Sequence, residues 1–175
     1  NQRLKKVIVL SPIIQLDIMD GKFVKNKSIW FNLKLPRKSK KTYEAHLMVK
    51  EPLSWIKKYA DKVNVIIVHV EADNVDGSIK LIKSKQKKVG IAINPSTPIS
   101  KIKPYLSKIG QVTVLAVNPG KYGSKFLPAT LKKVKALRKL KLNLNIEVDG
   151  GLGDKNMKAA KEAGLVTASV NWPVS

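Results

Sequence analysis

The sequence predicts an α/β protein whose parallel strands surround a barrel. Short strand-like runs alternate with helix-compatible segments, which is the pattern of βα units around a parallel sheet. Each run delivers a titratable or amide side chain into a turn made of Gly, Pro or Asn. On the first run Gln15, Asp17 and Met19 share one face and Leu16 and Ile18 the other, because strand side chains alternate. A polar row at the carboxyl end of an inward strand face is where barrels hold reactive groups.

Taken in chain order, Val7 to Leu10 has strand composition, but Ser11-Pro12 leaves almost nothing before the run at Ile13. Parallel neighbours need a crossover of roughly a dozen residues. Leu4, Val7 and Ile8 fit helical i, i+3, i+4 spacing instead, so residues 3 to 10 read as the tail of a helix. The run through Met19 then ends at Asp20-Gly21, where Asp20 is placed to cap the turn. Tyr43 to Met48 puts Glu44, His46 and Met48 on one face, and Pro52 to Ala60 reads as a helix. Val65 to Val70 brings His69, with Glu71 just beyond, before a helix over Val75 to Lys85. Val89 to Ile93 leads into Asn94-Pro95 and a helix over Ile99 to Leu106. Val112 to Val117 leads into Asn118-Pro119-Gly120. From Pro128 to Leu140, apolar Leu131, Val134, Leu137 and Leu140 recur while Lys132, Lys133, Lys135, Arg138 and Lys139 fill the rest, an amphipathic helix. Leu144 to Val148 delivers Asp149 just before Gly150-Gly151, and Asp154 to Ala163 reads as a helix.

Composition bounds the function. With 43% hydrophobic residues and no low-complexity linker, residues 1–175 read as one domain around one core. Trp30, Trp55 and Trp172 are expected between helices and sheet. No apolar run reaches the ~18 residues of a membrane span, and no signal peptide is visible. Zero cysteines excludes disulfides and thiolate chemistry and fits a cytoplasmic protein. The net charge of +22 raises the question of nucleic acid. Yet the lysines are spread over every helical segment, and only Arg37-Lys38-Ser39-Lys40-Lys41 and Lys83 to Lys88 form clusters, without interleaved aromatics. Three arginines among 34 basic residues also argue against base or phosphate recognition by guanidinium forks. A solvated cationic surface is the simpler reading.

Six segments in order carry a resemblance: LDIMDGKFV at 16–24, AHLMV at 45–49, HVEA at 69–72, GIAINPSTP at 90–98, VNPGKYGSKF at 117–126 and EVDGG at 147–151. Together they make the chain similar to the ribulose-phosphate 3-epimerase family of TIM (β/α)8 barrels. The resemblance implies interconversion of ribulose 5-phosphate and xylulose 5-phosphate by proton transfer at C3 through a metal-stabilised enediolate. Asp17 and Asp149 would be the two acid/base groups, one for each face of the inverted carbon. A divalent metal (Mg, Mn, Fe or Zn) would be held by Asp17, His46 and Asp149, with Gln15 standing where the family has histidine. A neutral amide oxygen would shift preference toward Mg or Mn. Met19, Met48 and His69 would line the substrate site; the alternatives are that the methionines fill the core and that His69 packs beside Glu71. Phosphate would be held by the backbone at Asn118, Gly120, Gly123, Ser124, Gly150 and Gly151, and at Ala168-Ser169.

The chain departs from the family at Gln15, at Tyr122 in place of a glycine, and at its start. Barrels of this kind typically run ~200 to 250 residues, and the 175 here supply seven strand candidates. The expectation is therefore a barrel lacking strand 1 and most of helix 1. Two other readings stay open: a catalytically degraded barrel that binds a sugar phosphate or serves structurally, and a cationic barrel associated with nucleic acid. The partner expected on the epimerase reading is a ketopentose phosphate, steered to the mouth by positive charge, with a homo-oligomer left open. Related barrel decarboxylases and aldol-type synthases would want a lysine beside Asp17, and none stands between Gln15 and Asp20.

Overall fold

The computed structural model describes residues 11–28, 35, 40–120 and 123–169. Within them the alternating runs become seven parallel strands in chain order: β1 (Ile13–Met19), β2 (Thr42–Met48), β3 (Val65–His69), β4 (Lys88–Ile93), β5 (Gln111–Leu115), β6 (Asn145–Asp149) and β7 (Thr167–Ser169). Four α-helices lie between them, α1 (Pro52–Tyr59), α2 (Val75–Ser84), α3 (Leu131–Leu140) and α4 (Asp154–Glu162). Each strand pairs with the next, and the sheet curls. In a flat sheet β1 and β6 would lie roughly 24 Å apart, five spacings of ~4.8 Å, yet Gln15 Nε2 on β1 is 3.1 Å from Asp149 Oδ2 on β6. The result is a nearly closed barrel.

Alternation sorts the strands into two layers. Outward residues such as Ile18, Leu47, Ile66, Ile91, Val114 and Ile146 pack with Trp55, Ile56, Ile82, Val134 and Leu137 from the helices in the main core. Inward residues are of another kind: Val65, Ile67, Ala92 and Leu115 form a small apolar cluster, while Glu44, His46, His69, Gln111, Thr113, Glu147 and Asp149 are buried polar groups. Burying such groups is costly unless each is bonded, and most are. Gln111 Nε2 and Thr113 Oγ1 donate to Glu147 Oε2 at 2.8 and 3.0 Å, and Asn145 Nδ2 donates to Gln111 Oε1 at 3.2 Å.

Helix boundaries follow local chemistry. Pro52 opens α1, where a missing N–H costs nothing, and Lys57 and Lys58 sit in its last turn against the negative end of the dipole. Asn74 caps α2 from a left-handed φ of 50°, its side chain accepting from the Gly77 N–H. The expected helix over Ile99 to Leu106 is instead two 3-10 turns, Ile99–Lys101 and Lys103–Tyr105. Pro104 has no N–H for an α-helical bond back to Ser100, so the segment tightens into i to i+3 turns. Likewise the start at Pro128 is a 3-10 turn, Pro128–Thr130, before α3. β5 stops at Leu115 rather than Val117. Trp55 is 1% exposed in the core, as expected. Trp30, Trp172, Tyr122, residues 3 to 10 and Arg37-Lys38-Ser39 lie outside the described residues.

Some of the positive charge works on the backbone. The Arg138 guanidinium donates to three loop carbonyls, those of Leu142, Leu144 at 2.8 Å and Gly164 at 2.7 Å, tying the β6 and β7 approaches to α3. Lys141 Nζ donates to Leu106 O and Ile109 O at 2.8 and 3.1 Å, and Lys133 Nζ to Asn94 O at 2.8 Å and to Thr97 O. Arg138→Lys keeps the charge but loses the fork, leaving part-buried carbonyls without donors. The expected cost is about 1–3 kcal/mol, read as a lower urea midpoint at unchanged m-value; an unchanged midpoint would mean that water replaces the guanidinium at all three.

Candidate active site

The carboxyl ends of β1, β2 and β6 meet inside the barrel. Register sets Asp17 beside His46 and Met19 beside Met48 across β1 and β2, and Asp149 beside Leu115 across β5 and β6. His46, with no exposed surface, turns Nδ1 toward both carboxylates, 3.3 Å from Asp17 Oδ1 and 3.3 Å from Asp149 Oδ2. Its Nε2 lies 2.9 Å from His69 Nε2. Gln15 Nε2 bridges the same carboxylates at 3.1 Å each, while its Oε1 is buried and has no hydrogen-bond partner among the described residues.

Environment pushes these groups apart. Burial disfavours a charged His46, but the hydrogen bonds and charges of Asp149 and Asp17 outweigh it and push the pKa up to about 10. At His69 burial dominates and, against the pull of Glu71, brings the pKa down to about 4. Burial raises Asp149, yet the bonds from His46, Gln15 and Ser169 leave it below the usual carboxylate value. Two residues earlier on the same strand, burial and the nearby Glu44 and Asp149 charges push Glu147 up to about 8. The floor is thus an imidazolium between carboxylates, above a carboxyl that keeps its proton at neutral pH.

Above that floor opens a cavity of about 180 Å³, lined by Asp17, Met19, His46, Met48, Gly120, Asp149 and Gly150 of the expected residues, and also by Asn26, Leu115, Val117 and Pro119. Two glycines allow its close walls. Gly150 has φ +98°, and a Cβ there would stand 2.4 Å from Val117 Cγ2; Gly120 has φ +84°, with a Cβ 2.8 Å from that of Val24. Asn26 Nδ2 donates to the Gly120 carbonyl, tying the loop after β1 to the loop after β5. Asp20 stands outside the floor: Oδ1 accepts the Lys22 and Phe23 N–H groups and Oδ2 the Lys50 N–H, each at 2.8 Å, so it caps the turn and fastens it to the end of β2.

The remaining expected residues do not line this cavity. Gln15 lies beneath it, and His69, wholly buried, stands behind His46. Asn118, Gly123, Ser124 and Gly151 belong to the loops after β5 and β6, and Ala168 and Ser169 to β7. Asn26, Leu115, Val117 and Pro119 were missed by sequence reasoning. Leu115 had a signal, as the inward residue ending its strand; Asn26 had none, because a long-range loop contact places it.

A divalent cation has a donor set here. Asp17, His46 and Asp149 each offer a ligand atom, all within 4.8 Å of one another. Two carboxylates and an imidazole suit Mg, Mn, Fe or Zn, and the Gln15 amide, whose Nε2 meets both carboxylates, has its Oε1 buried without a hydrogen-bond partner among the described residues.

Parallel strands curled around a carboxylate and imidazole floor define an α/β-barrel enzyme. Comparison narrows the class: the chain belongs to the ribulose-phosphate 3-epimerase family, matching it over residues 3–170. It is 39% identical over 158 residues to ribulose-phosphate 3-epimerase of Schizosaccharomyces pombe, covering 86% of this chain and 69% of that one. The cytoplasmic isoform from Oryza sativa is 37% identical over 159 residues, covering 86% and 70%. The Aquifex aeolicus enzyme is 31% identical over 160 residues, covering 87% and 72%. Among solved structures, a 3-hexulose-6-phosphate synthase superposes with a TM-score of 0.63 at 16% identity, covering 95% of this chain and 81% of that one, a likeness of fold. No helix among the described residues is long and apolar enough to cross a membrane.

The Glu147 carboxyl, raised from 4.5 to about 8, keeps its proton in the folded chain while the unfolded chain loses it above pH 4.5. Between those values the folded state binds more protons, so this contribution to stability is full below pH 4.5 and is lost as pH rises through 8. Glu147→Gln cannot ionise. Urea unfolding at about pH 5 and pH 8 should therefore cost the wild type more stability than the variant, by a difference on the order of a few kcal/mol; parallel losses would show that Glu147 is ionised when folded.

Proposed function

We infer that the chain interconverts ribulose 5-phosphate and xylulose 5-phosphate by moving a proton off and onto C3. The observation that carries this is the convergence of Asp17 from β1 and Asp149 from β6 on His46 Nδ1, 3.3 Å from each, at the floor of an open cavity. The C3 proton of a 2-ketose is acidified by the neighbouring carbonyl. One carboxylate removes it from one face while the other, protonated, delivers a proton to the opposite face. Each turnover leaves the proton on the other carboxylate, ready for the reverse reaction. Asp149, held below the usual carboxylate value by His46, Gln15 and Ser169, is ionised at neutral pH and can take the proton on its face.

Asp17, His46 and Asp149 would hold the divalent cation, with Gln15 Oε1 as the fourth donor after a half-turn of the amide, whose O and N positions follow from the bonding pattern. Such a cation supplies stabilisation of the negative charge that develops on the substrate oxygens. An amide oxygen in place of imidazole leans the set toward Mg or Mn. Met19 and Met48 form the apolar wall beside the reacting carbon. The phosphate sits against the main-chain N–H groups around Gly120, Gly123, Gly150 and Gly151, all at positive φ, where successive N–H groups can converge on an anion; Asn118, Ser124, Ala168 and Ser169 complete that rim.

Exchange of the C3 proton of ribulose 5-phosphate into deuterated water, with Mn or Mg added, tests the reading. The wild type is expected to exchange, and Asp17→Asn and Asp149→Asn each to lose about 10²–10⁴-fold. A folded wild-type chain that exchanges nothing would instead favour a barrel that only binds its ligand.

A further inference from the structure

Behind the cavity runs a file of side chains from Asp17 and Asp149 through His46 and His69 to Glu71. His69 Nδ1 is 3.1 Å from Glu71 Oε2, and the His46 and His69 rings stack with centroids 5.0 Å apart and 18° between planes. Phe23 packs against His69 at 4.6 Å. Both histidines are 0% exposed, so solvent cannot stand in for a missing partner.

Two Nε2 atoms 2.9 Å apart can share only one proton, and the contacts of Glu71 point to which ring carries it. Glu71 Oε1 accepts the Asn94 N–H at 2.9 Å, and bonds from His69, Thr97 and Asn94 overcome burial to keep Glu71 below the usual carboxylate value. A carboxylate only accepts, so the proton in the His69–Glu71 bond sits on His69 Nδ1. A neutral His69 protonated there has a bare Nε2. The proton between the two Nε2 atoms, 2.9 Å apart, must then belong to His46. That leaves Nδ1 as the His46 atom facing Asp17 and Asp149.

We propose that Glu71, acting through His69, is a positioning residue that holds a proton on His46 Nε2, so that Nδ1 is the nitrogen that gives up its proton and ligates when a divalent cation binds. The inference depends on reading Asp17, His46 and Asp149 as the cation-binding set. Without the Glu71 acceptor, His69 can carry its proton on Nε2 and donate to His46. His46 Nε2 then accepts, and the one proton left on that ring is held at Nδ1, the place the cation needs. Partners one step removed from a metal commonly set ligand tautomer and affinity in this way; here the carboxylate works through a second imidazole.

Having two histidines, the chain gives two rings in ¹⁵N-histidine NMR, which reads tautomers directly. In the metal-free wild type His69 is expected with Nδ1 protonated and Nε2 bare. Glu71→Gln keeps an acceptor oxygen and should keep that tautomer and near wild-type Mn²⁺ affinity by calorimetry. Glu71→Met, with no acceptor, should move the His69 proton to Nε2 and raise the Mn²⁺ dissociation constant about 10–100-fold, with far-UV circular dichroism unchanged. The proposal is overturned if His69 in the wild type is protonated at Nε2, if Glu71→Met leaves tautomer and affinity unchanged, or if the wild type binds no Mn²⁺. Should Glu71→Met not fold, the wild-type tautomer and the Glu71→Gln affinity decide. Neither readout uses turnover, so a chain with these tautomers but no C3 exchange would count against the epimerase reading alone.

Discussion

His46 has no surface of its own, and each of its ring nitrogens must find a partner inside the barrel: the Asp17 and Asp149 carboxylates on one side, His69 on the other. Those partners come from β1, β6 and β3, so one imidazole on β2 links strands that the sheet order separates. Breaking a buried charged set by removing one member is far costlier than never building it, because the rest are left uncompensated. Much else follows from this need: the curl that brings β1 to β6, the Gln15 amide laid across both carboxylates, and glycine at 150, where any side chain would drive into Val117.

Asp149 and Glu147 are neighbours on the same face of β6, yet the first is held below the usual carboxylate value and the second rises to about 8. The difference lies in what each meets. Asp149 faces a cationic ring and amide and hydroxyl donors; Glu147 faces Gln111, Thr113 and another buried carboxyl, Glu44. One strand therefore presents a carboxylate to the mouth and an uncharged acid to the base, as opposed environments dictate.

Much of this was readable from the sequence, because strands with one polar face and carboxylates before glycine turns announce both period and direction. Asp17 and Asp149 could be picked out because each nearly ends or follows such a run, whereas His46 was picked out by the resemblance at 45–49. The segment from Ile99 could not be read by apolar spacing, since Pro104 overrides it. Asn26, Val117 and Pro119 reach the cavity through loop contacts that no local pattern encodes. Spacing left His69 open between lining the substrate site and packing beside Glu71; the pairing of β2 with β3 sets it behind His46, 3.1 Å from Glu71.

The hydrogen-bonded set at the base of the barrel, joining Glu147 to Gln111 and Thr113 and Gln111 to Asn145, also acts as a proofreader. A slip of β6 by one residue would carry Ile146 and Val148 into that polar pocket and drive Asn145 and Glu147 into the oily layer under the helices. Apolar packing alone tolerates much misalignment among Val- and Ile-rich strands, whereas donors and acceptors in the wrong layer do not. The interior polar groups thus make the last strands join in one alignment, trading some stability for certainty about where Asp149 arrives.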